Sequence, residues 1–128
     1  MIVVTAAIIE KDHKILITRR SGKRHLTGYW EFPGGKLDLH ESEEECLLRE
    51  IKEELNIEVE VSEYFMENLY VYEDKTVLLK AYFCKYLSGN IVLKDHDKLA
   101  WVKSGSFKNY KMAPADIEFV KHLERRSS

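Results

Sequence analysis

The segment from Gly35 to Ile57 constrains the fold more than any other part of this chain. It reads GKLDLHESEEECLLREIKEELNI, and its apolar residues recur at the spacing of an amphipathic helix. Ser42 and Glu45 form an S-x-x-E capping box, which predicts that the helix begins just after Ser42. Four aliphatic side chains lie on one arc and are expected to pack on a core: Leu47, Leu48, Ile51 and Leu55.

A neighbouring face of the same helix is acidic. Glu50, Glu53 and Glu54 stand at positions i, i+3 and i+4, so their side chains share one face. Like charges at this spacing repel by roughly 0.2–0.5 kcal/mol per pair, and a bound cation would remove that cost. Oxygen ligands of this kind, without His or Cys, favour Mg²⁺ or Mn²⁺. Taken alone, the three glutamates are more typical of a solvated helix surface, so the interpretation depends on the residues around them.

The surrounding residues complete a known pattern. This segment resembles the Nudix box, G-x5-E-x7-R-E-U-x-E-E-x-G-U with U a bulky aliphatic residue, of hydrolases that cleave nucleoside diphosphates linked to another moiety. The matching positions are Gly35, Glu41, Arg49, Glu50, Ile51, Glu53, Glu54 and Ile57. Asn56 replaces the last glycine of the pattern. Asn is the next most tolerant residue at a left-handed helix end, so we expect Asn56 to adopt that conformation.

The rest of the chain predicts strands around this helix and a second helix near the end. Strands are expected over residues 2–9, 15–19, 30–32, 58–68, 69–72, 75–87 and 99–102, a helix over 114–125, and a frayed tail over 125–128. Pattern alone predicts an α/β chain of the α+β type. The resemblance implies an α/β/α sandwich with a central mixed β-sheet, formed by one domain over residues 1–128 with the box at 35–57.

Composition limits the possible partners. The 128 residues carry a formal net charge of −2, so no overall field would attract a nucleic acid polymer or an anionic membrane. No run approaches the roughly 20 apolar residues of a membrane span, and the first residues do not resemble a signal peptide. Cys46 and Cys84 are expected to be reduced, buried thiols in a cytoplasmic protein. Aromatic residues in the strands fit a sheet core or a dimer face, so we expect a monomer or a homodimer.

The resemblance implies an active site that depends on Mg²⁺, with Mn²⁺ as the alternative ion. Four residues would bind the metal, the first through its backbone carbonyl: Gly35, Glu50, Glu53 and Glu54. Arg49 would hold the box in shape through a salt bridge to a glutamate such as Glu41 or Glu53.

The general base is left open between two residues. Glu53 is one candidate, and Asp95 is the other, because it takes the acid position in a segment that resembles E-H-D-E-x-x-W of relatives. Asp is one methylene shorter than Glu, and a plain polar loop explains the segment equally well. His96 is expected to lie on the surface or form a hydrogen bond rather than bind metal.

Substrate contacts are expected from Arg20, Phe32, Lys36 and Asp116. Arg20 ends a T-R-R run that resembles MutT-like proteins, in which this arginine contacts phosphate, and Lys36 would add a local cation. Phe32 fits both core packing and the border of a base pocket. Asp116 belongs to a P-A-D segment similar to one whose Asn or Asp bonds the nucleobase. If ionised, it would only accept hydrogen bonds, and it fits a helix cap as well.

The expected function is that of a Mg²⁺-dependent Nudix pyrophosphohydrolase. Its substrate would be a (deoxy)nucleoside triphosphate, including a damaged or modified one, and its products a nucleoside monophosphate and pyrophosphate. One alternative is a Nudix hydrolase of a nucleotide sugar or a dinucleotide polyphosphate, which often carries extra recognition segments. The other is a non-catalytic nucleotide-binding sensor, although such a protein would be expected to have lost carboxylates of the box, and this chain retains them.

Overall fold

The structure is a computed structural model that describes residues 1–23 and 25–126. Within these residues it contains seven strands and two α-helices. In chain order they are β1 (Ile2–Lys11), β2 (Lys14–Arg20), β3 (Trp30–Glu31), β4 (Gly34–Lys36), α1 (Glu43–Leu55), β5 (Glu58–Val71), β6 (Thr76–Ser88), β7 (His96–Val102) and α2 (Ile117–Arg126). Short 3-10 turns cover Phe107–Asn109 and Pro114–Asp116.

Strand β1 lies in the middle of a mixed sheet. It pairs antiparallel with β2 and β4 and parallel with β6, and the sheet order is β3-β2-β1-β6-β5. Strand β7 extends the sheet by pairing with β2. The central part of β1 is buried without alternation, from Thr5 to Ile9. A strand buried in this way requires cover on both faces of the sheet.

The two helices provide that cover from opposite sides. Leu47, Ile51 and Leu55 of α1 belong to one core cluster with alternate residues of β1. Phe119 and Leu123 of α2 belong to the other cluster, on the opposite face of the sheet. The predicted α/β/α sandwich with a mixed sheet is therefore confirmed.

Both ends of α1 have the local structure that the sequence predicted. The Ser42 hydroxyl accepts a hydrogen bond from the Glu45 amide at 3.1 Å, and the Glu45 carboxylate accepts one from the Ser42 amide at 2.8 Å. Asn56 ends the helix in the left-handed region with φ of 60°. The expectation that Leu48 packs in the core was wrong, because its side chain is exposed. Cys46 is the additional buried residue on the core face of α1. The buried arc is therefore shifted towards Cys46 relative to the arc that the sequence indicated.

Several predicted boundaries were wrong. The segments expected at 58–68 and 69–72 form one bulged strand, β5, because β6 offers a partner along its whole length. Strand β4 was not predicted, since two glycines and a lysine lack any strand pattern. The final helix is preceded by a 3-10 turn and continues through Arg126. Of the expected frayed tail, residues 127–128 lie outside the described residues.

The two cysteines are buried, as the sequence predicted. Cys46 and Cys84 are free and buried, and burial raises the pKa of their thiols to about 11 and about 12. Neither α1 nor α2, the helices of the described chain, has the length and apolar character to cross a membrane.

Candidate functional site

The double glycine brings a loop backbone against both β1 and α1. Gly34 pairs with Ala6 and Gly35 with Thr5, which places β4 directly beside β1. A Cβ on Gly34 would lie 2.8 Å from the Thr5 carbonyl carbon, and one on Gly35 would lie 2.7 Å from Glu50 Oε1. Real Cβ atoms do not approach other atoms this closely. Glycine is therefore required at both positions, at Gly34 because the backbone of β1 lies against it and at Gly35 because the Glu50 carboxylate does.

Arg49 binds the loop and helix together. Its guanidinium contacts both oxygens of Glu41, at 2.7 Å and 3.0 Å, and the Lys36 carbonyl at 3.2 Å. Nη1 also lies 2.9 Å from Glu50 Oε1 and 3.3 Å from Glu53 Oε2. Hydrogen bonds from Arg49 and from the Asp38 amide lower the pKa of Glu41 to about 2. The structure thus contains both salt bridges that the sequence offered as alternatives.

The Glu41–Arg49 pair predicts a specific acid dependence of stability. The pKa of Glu41 falls from 4.5 to about 2 in the folded protein, so its stabilising effect is complete above about pH 4.5 and is lost as the pH falls towards 2. We expect Glu41→Gln to lower the Tm at pH 7 and to match the wild type near pH 2. Thermal unfolding between pH 2 and 7 measures this. A Tm difference that is constant across the range would contradict it, and Glu60→Gln, at an exposed strand position, is the control.

Glu50 and Glu54 are the box carboxylates that line the cavity of the site, which has a volume of about 470 Å³. Burial raises the pKa of Glu50 despite the neighbouring Arg49. Burial, followed by the charge of Asp95, raises the pKa of Glu54. Glu54 Oε2 has no hydrogen-bond partner among the described residues. Both carboxylates therefore lie where a positive charge would stabilise the ionised form.

Glu53 is placed differently from the other two glutamates. Its side chain is 57% exposed, contacts Arg49 and does not line the cavity. Accordingly, no group of three or more His, Cys, Asp or Glu side chains in the described chain is arranged so that it could hold a metal ion. The donor chemistry nevertheless fits Mg²⁺: two half-buried carboxylates, one with an unpartnered oxygen, and Glu50 lying against Gly35, whose carbonyl accepts a hydrogen bond from the Thr5 hydroxyl at 3.2 Å. The roles of Glu53 as ligand or base stay predictions.

Asp95 and His96 lie against Glu54 from the start of β7. Asp95 is close enough to bond the Glu54 carboxyl and raise its pKa, although it does not line the cavity itself. His96 is buried, its Nε2 lies 2.9 Å from Glu31 Oε2, and its Nδ1 lies 3.8 Å from Glu54 Oε2. The hydrogen-bonding interpretation of His96 is therefore confirmed. Whether Asp95 acts as a base stays a prediction.

The predicted substrate residues line the same cavity as Glu50 and Glu54: Arg20, Phe32, Lys36 and Asp116. Arg20 Nη1 lies 2.9 Å from Glu31 Oε1, and its Nε donates to the His25 carbonyl at 2.8 Å. Phe32 is 4% exposed and packs on Phe107 and Phe119. It therefore fills the core and borders the cavity at once.

Asp116 is buried, with 4% of its surface exposed, and lines the cavity. Burial, followed by the nearby charge of Glu31, raises the pKa of Asp116 well above its usual range, although its carboxyl accepts a hydrogen bond from the Phe32 amide. Burial therefore shifts Asp116 towards the neutral acid, whereas the sequence alone suggested the ionised form. A neutral carboxyl offers one donor as well as an acceptor.

Glu31 is the main residue that sequence reasoning missed. Burial opposes its ionisation, but hydrogen bonds and attraction from His96 and Arg20 outweigh burial and lower its pKa. The sequence contains one indication of its role, since Glu31 is a charged residue between two aromatic residues, Trp30 and Phe32. Its partners come from other strands, so the sequence could not identify them.

Comparisons with known proteins agree with this arrangement. The family model described as NUDIX domain matches residues 1–123. The chain is 38% identical over 120 residues to the CTP pyrophosphohydrolase of Escherichia coli (strain K12), covering 94% of this chain and 89% of that protein. It is 32% identical over 126 residues to the putative 8-oxo-dGTP diphosphatase 2 of Mycobacterium tuberculosis, covering 96% and 88%. The solution structure of the E. coli ORF135 protein superposes with a TM-score of 0.88 at 35% identity, covering 100% of this chain and 91% of that one.

Proposed function

The chain belongs to the Nudix hydrolase family, and from this membership we propose that it is a Mg²⁺-dependent pyrophosphohydrolase of a (deoxy)nucleoside triphosphate. The products would be a nucleoside monophosphate and pyrophosphate. We further propose that residues 1–128 form one domain that acts in the cytoplasm as a monomer or homodimer. The observation that carries the proposal is the pair of half-buried carboxylates, Glu50 and Glu54, which line one cavity together with Arg20.

The residues that line the cavity have different roles in this proposal. Glu50, Glu54 and the carbonyl of Gly35 would hold Mg²⁺, joined by Glu53. The ion would supply neutralisation of phosphate charge and a water of lowered pKa. Arg20 would bind phosphate oxygens, because its guanidinium carries five donors and is fixed at the cavity wall by Glu31 and His25.

Lys36 and Arg49 complete the charge arrangement. Lys36 lines the cavity beside the glycines and would add a cation near the phosphates. Arg49 would act indirectly, by holding Glu50 and the loop in place through its contacts with Glu41 and the Lys36 carbonyl. Positioning and electrostatics are the main requirements for cleaving a phosphoanhydride, and these residues supply both.

We propose cytosine as the first base to test. A neutral Asp116 presents one donor and one acceptor, and cytosine presents the acceptor N3 beside the donor N4. The relative from E. coli is named for CTP, whereas the relative from M. tuberculosis is named for 8-oxo-dGTP. Guanine nucleotides, oxidised and unmodified, are therefore the second group to test.

The direct test is a nucleotide panel with pyrophosphate detection. The wild type is assayed with Mg²⁺ or Mn²⁺ on the common triphosphates, on oxidised and methylated ones, and on a nucleotide sugar and a dinucleotide polyphosphate. We expect pyrophosphate release from a triphosphate, lost in EDTA and restored by excess Mg²⁺. Hydrolysis confined to the nucleotide sugar or dinucleotide, or no hydrolysis at all, would refute the proposed substrate class.

Asp116 predicts a change in base selectivity. Asp116→Ala removes both the donor and the acceptor, so we expect the preference of kcat/KM among bases to fall by roughly 1–3 kcal/mol. Asp116→Asn retains one donor and one acceptor and is expected to keep most of that preference. Steady-state kinetics on four bases measures this, with Tm recorded for each variant. Equal losses on all four bases would remove the base-reading role.

A further inference from the structure

His96 occupies an unusual position for a histidine in a polar segment. Its side chain is only 3% exposed, although both sequence neighbours are charged. Nε2 lies 2.9 Å from Glu31 Oε2, whereas Nδ1 faces Glu54 Oε2 across 3.8 Å, too far for a hydrogen bond. Neither Nδ1 nor that oxygen has a hydrogen-bond partner within the described chain. Leaving buried polar atoms unpaired costs free energy, so a purely structural histidine would be expected to satisfy both nitrogens.

The imidazole of His96 lies between two sets of residues, one proposed to bind phosphate and the other proposed to bind the metal. On one side, Glu31 uses Oε2 for His96 and Oε1 for Arg20, at 2.9 Å each. On the other side is Glu54, whose carboxyl also lies beside Asp95. One buried ring therefore touches the anchor of the phosphate-binding arginine and faces a proposed metal ligand.

We infer that His96 is a positioning residue with a separate role for each ring nitrogen. Nε2 holds Glu31, and through Glu31 it fixes the guanidinium of Arg20. Nδ1 makes no hydrogen bond to Glu54 in this structure, but a shift of about 0.6 Å would bring it within hydrogen-bond distance of Oε2, and that contact would orient Glu54 for the metal. This inference rests on the proposed function. Carboxylates that bind metals are themselves held by hydrogen bonds, and loss of such a contact typically costs about 10–100-fold in metal affinity or activity.

The two nitrogens can be tested separately by amide substitutions. The amide nitrogen of Gln lies near the position of imidazole Nε2, and that of Asn lies near Nδ1. His96→Gln is therefore expected to keep the contact with Glu31 and to lose the group that faces Glu54. His96→Asn is expected to do the reverse.

The two variants are expected to affect different quantities, the metal affinity in one and the nucleotide KM in the other. For His96→Gln we expect the Kd for Mn²⁺, measured by calorimetry without nucleotide, to rise about tenfold or more, with little change in KM. For His96→Asn we expect near wild-type Mn²⁺ affinity and a KM for the nucleoside triphosphate raised about tenfold. The control is His122→Gln on α2, whose ring bonds the Glu118 carbonyl at 2.9 Å away from the cavity, and which should change neither quantity.

Two contrary results separate this inference from the proposed function. A wild type that binds Mn²⁺ and hydrolyses the nucleotide, with His96 variants that lose only Tm, overturns the positioning role alone. A wild type that neither binds Mn²⁺ nor hydrolyses any nucleotide overturns the proposed function and this inference with it. If one variant fails to fold, the other still tests its own nitrogen.

Discussion

Glu54→Gln is expected to lower kcat for the preferred nucleoside triphosphate by at least about 100-fold, about 2.7 kcal/mol of barrier, while the protein stays folded. The substitution keeps the size of the side chain and removes the charge. Glu54 lines the cavity, and its Oε2 has no hydrogen-bond partner in the described residues, so the substitution breaks no hydrogen bond of this oxygen. Because burial raises the pKa of this carboxyl, the amide should be tolerated well in the folded state.

Steady-state kinetics at saturating Mg²⁺, together with Tm, measures this result. Glu58→Gln is the matched control, because Glu58 pairs with Lys52 at 3.1 Å outside the cavity and should leave kcat unchanged. Glu53→Gln is the informative comparison. We expect a loss of orders of magnitude there too, since the resemblance makes Glu53 a ligand although Arg49 holds it in this structure. An unchanged kcat in Glu54→Gln would refute the proposed metal-binding role of Glu54.

Gly35→Ala is expected to lower kcat by about 10–100-fold with little loss of stability. The added methyl group would lie within 2.7 Å of both carboxylate oxygens of Glu50, so that side chain must move. The end of a glutamate can shift at small cost to the fold, but displacing a reacting group by about 1 Å can reduce the rate by about 100-fold. The expected defect is therefore in catalysis and metal affinity.

Gly34→Ala is the matched control for the adjacent position. There the methyl group would meet backbone, 2.8 Å from the Thr5 carbonyl carbon, and β1 cannot yield as a side chain does. We expect a stability loss of about 1–3 kcal/mol or more, measured by denaturant unfolding. If both variants lost equal stability and Gly35→Ala kept a normal kcat, displacement of Glu50 would not impair catalysis, and this expectation would be wrong.

Local patterns were sufficient for the parts of the fold that depend on neighbours in the chain. The capping box at Ser42, the left-handed Asn56 and the core face of α1 follow from residues within a few positions of each other. Strand β4 and the full length of β5 were not predictable, because β1 and β6 create them by pairing. Leu48 was expected in the core and is exposed, whereas Cys46 is buried, since the packing of the helix on the sheet decides which side of it is covered.

Spacing along one segment was enough to identify the family, the helix that carries the carboxylates and the two glycines beside it. The contacts of Glu31 with Arg20 and of His96 with Glu54, and the raised pKa of Asp116, became apparent only in the folded chain. These properties arise between strands distant in the chain. Burial and the charge of neighbours set the pKa of a carboxyl, and neither is defined until the sheet has formed.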